Sequence, residues 1–442
     1  MEWTRFRKYA RRMRKIECSA LGVPPSEAFS VLQFRAIRKP FFPNLDTLRL
    51  WSPAREFIPS IPLFLSPRTT TIKITFDELK SNPKAVVTSM ITTLPILSLN
   101  LRHIALYHLP RDPMITAAVS EMLLASNRNT LQFFRVDSPL TEEARDVIFK
   151  LPDLCDISVV IERDSPLPSV VLPNLTNLTI KCDHGGDLLR VFHGATFGKL
   201  ASVTFCSKSE PTGNFLEALA TSTSATLSTF TFHTSRPWRP GYRSLLPFTR
   251  LSRIDIDISC EGGCLSTIDD DIITDIAQSM PGLKNLHLGM PCQTPTGVTV
   301  KGLAALAYYC LDLSTLRIHF RVASLNPPAI PIVTSRGEPT IPREDCALTD
   351  LYVGKIPMPE ESVLMVTLTL LRIFPRIDYI VYSDQRWGKV EDAITHSKHL
   401  VDHSSKYTPL VSPRSKVDDA SPRSNIWEHH MIRKSSEVPE EL

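Results

Sequence analysis

The nine residues LPNLTNLTI, Leu172 to Ile180, put Leu175, Leu178 and Ile180 at the spacing L-x-x-L-x-L, with polar residues between them. Side chains along a strand alternate between two faces, so this string buries Leu178 and Ile180 and leaves Asn177 and Thr179 on the other side. A single such strand fits many sheets. A steady recurrence along the chain would instead mark a repeat architecture, because each short strand could bury its apolar side only against the next copy.

With Ile, Val, Phe, Tyr and Thr allowed at the apolar positions, the string starts again at Leu45, Thr69, Leu101, Leu131, Leu154, Leu200, Leu227, Leu251, Leu283, Leu313, Leu348 and Ile377. The twelve intervals average about 28 residues, inside the roughly 20–29 of leucine-rich repeats, and vary from 21 to 35. Many copies carry a proline just before the anchor, as in FPNLDTLRL, LPDLCDISV, MPGLKNLHL and FPRIDYIVY. Apolar residues at helical spacing fall between the strings: Ile115, Val119 and Met122; Ala144, Val147, Ile148 and Leu151; Ile272, Ile273, Ile276 and Met280; Leu303, Leu306, Ala307 and Cys310. Strands alternating with helices predict an α/β, leucine-rich-repeat-like solenoid with irregular repeats, parallel strands on its concave face and helices on its convex face. The asparagine usual at the ninth repeat position is replaced by residues such as Asp183, Lys208 and Ser259, so a buried asparagine ladder is not expected.

Composition bounds the rest. The 442 residues are 43% hydrophobic and 22% charged, which suits a large folded core. No apolar run has the length of a membrane span, and the first residues lack the apolar core of a signal peptide, so a cytoplasmic or nuclear protein is expected. The net charge of +4 is concentrated in MEWTRFRKYARRMRKIE, where Trp3, Phe6, Tyr9, Ala10, Met13 and Ile16 share one helical face. That segment reads as a basic amphipathic helix and cap within residues 1–40, ahead of a solenoid over 41–394 and a mostly disordered tail over 395–442. Ser412 and Ser421, each opening an SPRS, are weak phosphorylation candidates. The nine cysteines suit buried reduced thiols. Cys260 and Cys264 form the one close pair, and nothing at zinc-like spacing completes four ligands.

At this point the chain resembles the fungal F-box/leucine-rich-repeat-like proteins, over roughly residues 1–394. WTRFRKYARRMRKI is similar to the helix that follows the F-box in that family, and RSLLPFTRLSRIDID to the start of one of its repeats. TIDDDIITDIAQSMPGLKNLHLG with VTVKGLAALAYYCLDLSTLRI resembles its late repeats, and FPRIDYIVY with RWGKVEDAI its closing strand and helix. The resemblance implies a solenoid that recruits a target to a cullin–RING ubiquitin ligase through a Skp-type adaptor. An F-box would have to precede Met1, so adaptor binding is assigned to no residue of this chain.

Enzyme signatures are missing: GVTVKG lacks the closing Lys-Ser/Thr of a phosphate loop, and there is no G-x-S-x-G or H-E-x-x-H. Asp269, Asp270 and Asp271 precede an apolar helical face and read as a helix start rather than a cation site. No catalytic residue, cofactor or metal is expected, and the partner is expected to be a protein. Recognition should use the exposed strand positions, where arginine and aromatic residues make the strongest contacts. Arg49, Trp51, Tyr107 and Arg135 stand there in early repeats, and His287, Arg317, His319 and Tyr352 in late ones. The loop HTSRPWRPGYR adds Arg236, Trp238, Arg239 and Tyr242. The alternatives are nucleic-acid or nuclear-factor binding through the basic helix, and an F-box-less scaffold with no ligase link.

Overall fold

The computed structural model describes residues 2–19, 40–76, 84–98, 100–125, 130–162, 171–184, 188, 192, 195–209, 215–223, 226–234, 241–258, 268–289, 297–322, 332–333, 339–340, 346–354, 356, 358–359, 362–382 and 384–405. The chain divides into two units, Met1–His396 and Ser397–Leu442. The first contains a sheet of 14 strands that follow one another in chain order. They are β1 (Lys15–Ser19), β2 (Thr47–Trp51), β3 (Thr71–Thr75), β4 (His103–Tyr107), β5 (Phe133–Pro139), β6 (Asp156–Ile161) and β7 (Asn177–Cys182). There follow β8 (Ser202–Ser207), β9 (Thr229–Thr234), β10 (Arg253–Ile258), β11 (Asn285–Leu288), β12 (Thr315–Ile318), β13 (Asp350–Gly354) and β14 (Tyr379–Tyr382). Every neighbouring pair is parallel.

One backbone contact recurs at every junction. The carbonyl of the second residue of each L-x-x-L-x-L string accepts the amides of the second and third residues of the next. Thus Asp46 O accepts from Thr70 and Thr71 at 2.9 and 3.1 Å, and Cys155 O from Thr176 and Asn177 at 2.8 and 3.0 Å. The series runs unbroken from Arg14 O to the amide of Tyr379. At several junctions a hydroxyl joins the same carbonyl: Thr176 Oγ1 to Cys155 O at 2.8 Å, Ser228 Oγ to Ala201 O at 3.0 Å, Ser314 Oγ to Lys284 O at 3.1 Å. Asp183, at the ninth repeat position, faces outward and pairs with Arg111 and Lys208.

The anchor residues fill the core. Leu45, Leu175, Leu200, Leu251, Leu283, Leu313, Leu348 and Ile377 are fully buried. A fully buried leucine contributes roughly 2–3 kcal/mol, so the repeated anchors are the main driving force for stacking. Thr69 fills one anchor position with a polar side chain, and its hydroxyl is satisfied by Leu45 O at 3.1 Å. Between strands the chain forms α2 (Lys84–Leu97), α3 (Pro113–Ala125), α4 (Glu142–Ile148), α5 (Phe215–Ser222), α6 (Asp270–Ser279), α7 (Val300–Tyr309) and α8 (Val363–Ile373), besides 3-10 turns at Ile58–Phe64 and Tyr242–Leu245. The buried stripe of each faces the sheet: Ile115, Val119 and Met122 on α3, Ile273 and Ile276 on α6, Leu303, Leu306 and Ala307 on α7.

The N-terminus departs from the expected long helix. The helix α1 spans only Glu2–Ala10, and Lys15–Ser19 is already the first strand, so the sheet begins inside residues 1–40. Met13, Ile16 and Cys18 form a further copy of the string, hidden by methionine and cysteine in place of leucine. At the other end α9 (Arg386–Ser405) closes the sheet. Trp387 is fully buried and donates from Nε1 to Ile356 O at 2.9 Å, while Glu391 accepts the amide of Ile380 in the edge strand at 3.3 Å. This helix runs to Ser405, past the expected end of the solenoid at residue 394. The described cysteines are all free thiols: Cys182, Cys310 and Cys346 are buried, Cys18 and Cys206 half-buried, and Cys155 is exposed.

The aspartate triplet ties two repeats together. Asp269 caps α6 by accepting the amide of Ile272 at 2.9 Å. Asp270 reaches to the next helix and accepts the amides of Thr299 and Gly302, both at 2.8 Å, and the Thr299 hydroxyl at 2.6 Å. A carboxylate therefore fills the N-terminus of α7, the place where GVTVKG would have to hold a phosphate. A Cβ on Gly302 would come within 2.6 Å of Asp270 Oδ1.

Two outcomes follow from this packing. Leu286→Asp puts a carboxylate at a fully buried site of β11, which costs several kcal/mol, and thermal denaturation should show a midpoint lowered by on the order of 10 °C. Gly302→Ala and Asp270→Ala should each cost about 1–3 kcal/mol in urea unfolding, and the double variant should cost little more than either alone, because both break one set of bonds.

Candidate protein-binding face

Most of the strands bury one side and turn the other outward, β6 being buried on both and Ala105 of β4 also buried, and the parallel register lines the residues of the second side up in level rows. The middle row begins with Glu17, Arg49, Lys73, Ala105 and Arg135. It continues through Ser158, Thr179, Thr204 and Thr231 to Asp255, His287, Arg317 and Tyr352. The face thus has two charged ends separated by a stretch of hydroxyls.

At the early end Glu17 bridges Lys15 at 2.7 Å and Arg49 at 3.1 Å. The hydrogen bond from Lys15 and the nearby Arg49 hold the Glu17 carboxyl below its usual range. Arg135 makes a bidentate pair with Asp156 at 2.9 and 2.8 Å, and its guanidinium stacks 4.7 Å from the centre of the Phe133 ring. Lys73 Nζ lies 5.5 Å from the centre of the Tyr107 ring. Burial lowers the pKa of His103, with Arg102 and Arg49 acting in the same direction, so its ring is neutral at physiological pH. His103 sits 5.7 Å from the Phe133 ring. Trp51 is half-buried one level further along.

At the late end Asp255 is the hub. His287 Nδ1 lies 3.6 Å from one of its oxygens and Arg253 3.1 Å from the other. Burial pushes its pKa up, but the hydrogen bonds from His287 and Arg253 prevail and hold it down to about 2, against an ordinary 3.8. His287 Nε2 and Arg317 Nε are buried without an acceptor among the described residues. The His287 ring lies 6.1 Å from that of Tyr352. A second pair, His233 with Asp257 at 4.0 Å, stands one level along on β9 and β10. Lys181 is paired with Asp137 at 2.6 Å between the two ends.

Of the residues expected to bind, Arg49, Trp51, Tyr107 and Arg135 come together at the early end, and His287, Arg317 and Tyr352 at the late end. Arg236, Trp238 and Arg239 lie outside the described residues. Two expectations are corrected. Tyr242 is 2% exposed: it opens the 3-10 turn that replaces a helix in its repeat and packs between α5 and α6. His319 is 5% exposed, because β12 ends at Ile318 and the alternation that would have turned residue 319 outward ends with it. Burial lowers the pKa of His319, with Arg317 adding to the shift. Asp255, Asp156 and Glu17 were the residues missed, although Asp255 occupies an outward position of RIDID and the alternation alone marks it. Among the described residues no group of three or more His, Cys, Asp or Glu is placed to hold a metal ion. None of the described helices is long and apolar enough to cross a membrane.

The Asp255 carboxylate contributes stability that is complete above pH ~4 and is lost as the pH falls through about 2. In Asp255→Asn the acid limb of the stability curve between pH ~4 and ~2 should flatten, with a loss at neutral pH of about 1–2 kcal/mol in urea titrations.

No family model matches the sequence, and no curated protein matches it. Among solved structures the chain is similar to the leucine-rich repeat-containing protein LegL7 from Legionella pneumophila, at 11% identity, with 90% of this chain and 99% of that chain covered and a TM-score of 0.28. The repeat architecture therefore rests on the sheet itself.

Proposed function

We propose that this chain is a non-enzymatic repeat module that holds a protein partner against the outward face of its parallel sheet. The observation that carries the reading is the row from Arg49 to Tyr352, in which cations, aromatic rings and hydroxyls are fixed in register across twelve consecutive strands, β2 to β13. Such a surface can contact an extended partner along many repeats, with arginine and aromatic residues as anchors at both ends. Its polar groups pair sideways along the rows instead of converging on one reacting point, which favours binding over catalysis. The sequence resemblance to F-box/leucine-rich-repeat-like proteins supports the finer assignment of target recognition for a cullin–RING ubiquitin ligase, with adaptor contact assigned to no residue of this chain.

The second reading, nucleic-acid binding, draws on α1, where Arg5 and Lys8 are exposed. Steep salt dependence of DNA or RNA binding that disappears in Arg5→Gln/Lys8→Gln would favour it.

A photo-crosslinking amino acid at Thr204, in the middle of the outward face, tests the first reading in cells. A discrete protein adduct from Thr204, absent when the same group replaces Glu121 on α3, is the expected result. Adducts from Glu121 alone would place the partner on the helices.

A further inference from the structure

The early end of the outward face holds a cation, Lys73, that makes no ion pair among the described residues, and its surroundings define what would complete it. Arg49, Lys73 and Arg135 stand at one level on β2, β3 and β5, with Ala105 on β4 between the last two. Neighbouring strands are about 4.8 Å apart, so the three cations fall within about 15 Å. Arg49 is neutralised by Glu17 and Arg135 by Asp156. Lys73 has no carboxylate within ion-pair distance among the described residues, and its one close partner is the Tyr107 ring at 5.5 Å. Burial weakens the hold of Lys73 on its proton, and Arg49 and Arg135 act in the same direction against the single opposing charge of Glu17. Arg49 also keeps a buried Nε without an acceptor. A partly desolvated ammonium between two guanidinium groups is an arrangement that an incoming anion relieves.

The kind of anion follows from what flanks the site. A nucleic acid brings a phosphate at every step and needs several unpaired cations in a track. Between Glu17 and Asp255 the row offers one such cation among the described residues, Lys73, and the next, Arg317, stands beyond Asp255 and His287, past four hydroxyl residues. A polyanion long enough to fill the face would meet both carboxylates. A protein segment with one acidic side chain, beside neutral residues for the rings of His103, Phe133 and Tyr107 and the half-buried hydroxyls of Thr179 and Thr204, matches this face.

We propose that Lys73, flanked by Arg49 and Arg135 and set against Tyr107, is the docking point for an aspartate or glutamate side chain on a segment of the protein partner. The proposal rests on the outward face being the protein-binding surface.

Fluorescence anisotropy with a fluorescein-labelled peptide of alternating glutamate and serine tests it on the full chain, beside the lysine–serine counterpart and a single-stranded oligothymidine. The glutamate peptide should bind and the lysine peptide should not. Lys73→Gln should weaken glutamate-peptide binding about tenfold, roughly 1.4 kcal/mol. Lys181→Gln, whose ammonium on the same face already has Asp137, should leave it unchanged. The melting temperature of Lys73→Gln should equal or exceed that of the wild type, since a cation between two others is removed; this separates loss of the docking point from loss of the fold. Equal losses in both variants, unchanged binding in Lys73→Gln, or tighter Lys73-dependent binding of the oligothymidine would each overturn the proposal. If the glutamate peptide fails to bind while Thr204 still crosslinks to a protein, the docking point is wrong and the reading of the face stands; if Thr204 gives no adduct, that reading itself fails.

Discussion

A single carbonyl group per repeat holds this molecule in register. The second residue of each string offers its oxygen to two successive amides of the next strand, and this contact links every neighbouring pair in the sheet. A buried amide left without an acceptor costs about 1–3 kcal/mol, so displacing one strand by a residue would leave two donors unpaired and would turn its buried side chains outward. Because donors and acceptor are all backbone, the side chain at that position is free to vary, and it is Arg14, Asp46, Thr70, Gln132, Ala201 or Lys284 in different repeats. The contact also tolerates repeats of very unequal length: the chain between two strings can become α3, a 3-10 turn at Tyr242–Leu245 or an extended segment without disturbing the junction.

That freedom explains what could be read in the sequence and what could not. The anchors at Leu175, Leu178 and Ile180 and their copies were legible because burial demands large apolar side chains at fixed spacing, and the strands stand where the string places them. The first strand was missed because its string carries Met13 and Cys18 in place of leucine and meets the demand only at Ile16: Met13 is exposed and Cys18 half-buried. The carbonyl ladder leaves no trace in side-chain identity, so no reading of residues would find it. Asp270 was legible only in part: its place at a helix start followed from the apolar face beginning at Ile272, but its bonds to Thr299 and Gly302 depend on the stacking of α6 on α7.

The outward face was legible by alternation and failed where alternation stopped. Arg49, Tyr107, Arg135, His287, Arg317 and Tyr352 face outward because each lies within a strand. His319 lies one residue past its strand, and Tyr242 lies in a turn that does a helix's packing. What alternation cannot give is which charges are already spent. Arg135 and Lys73 look alike in the sequence, yet the bidentate pair with Asp156 commits one, while the other has no carboxylate within ion-pair distance among the described residues.

Since both the fold and the rows of the binding face follow from the carbonyl ladder, amide hydrogen exchange at the ladder donors tests the account most directly. The account predicts that amides of the second string position, such as Thr176, Ser228 and Ser252, exchange as slowly as those within the strands, with protection declining only toward β1 and β14. Exchange at these positions at the rate of exposed loops would contradict it.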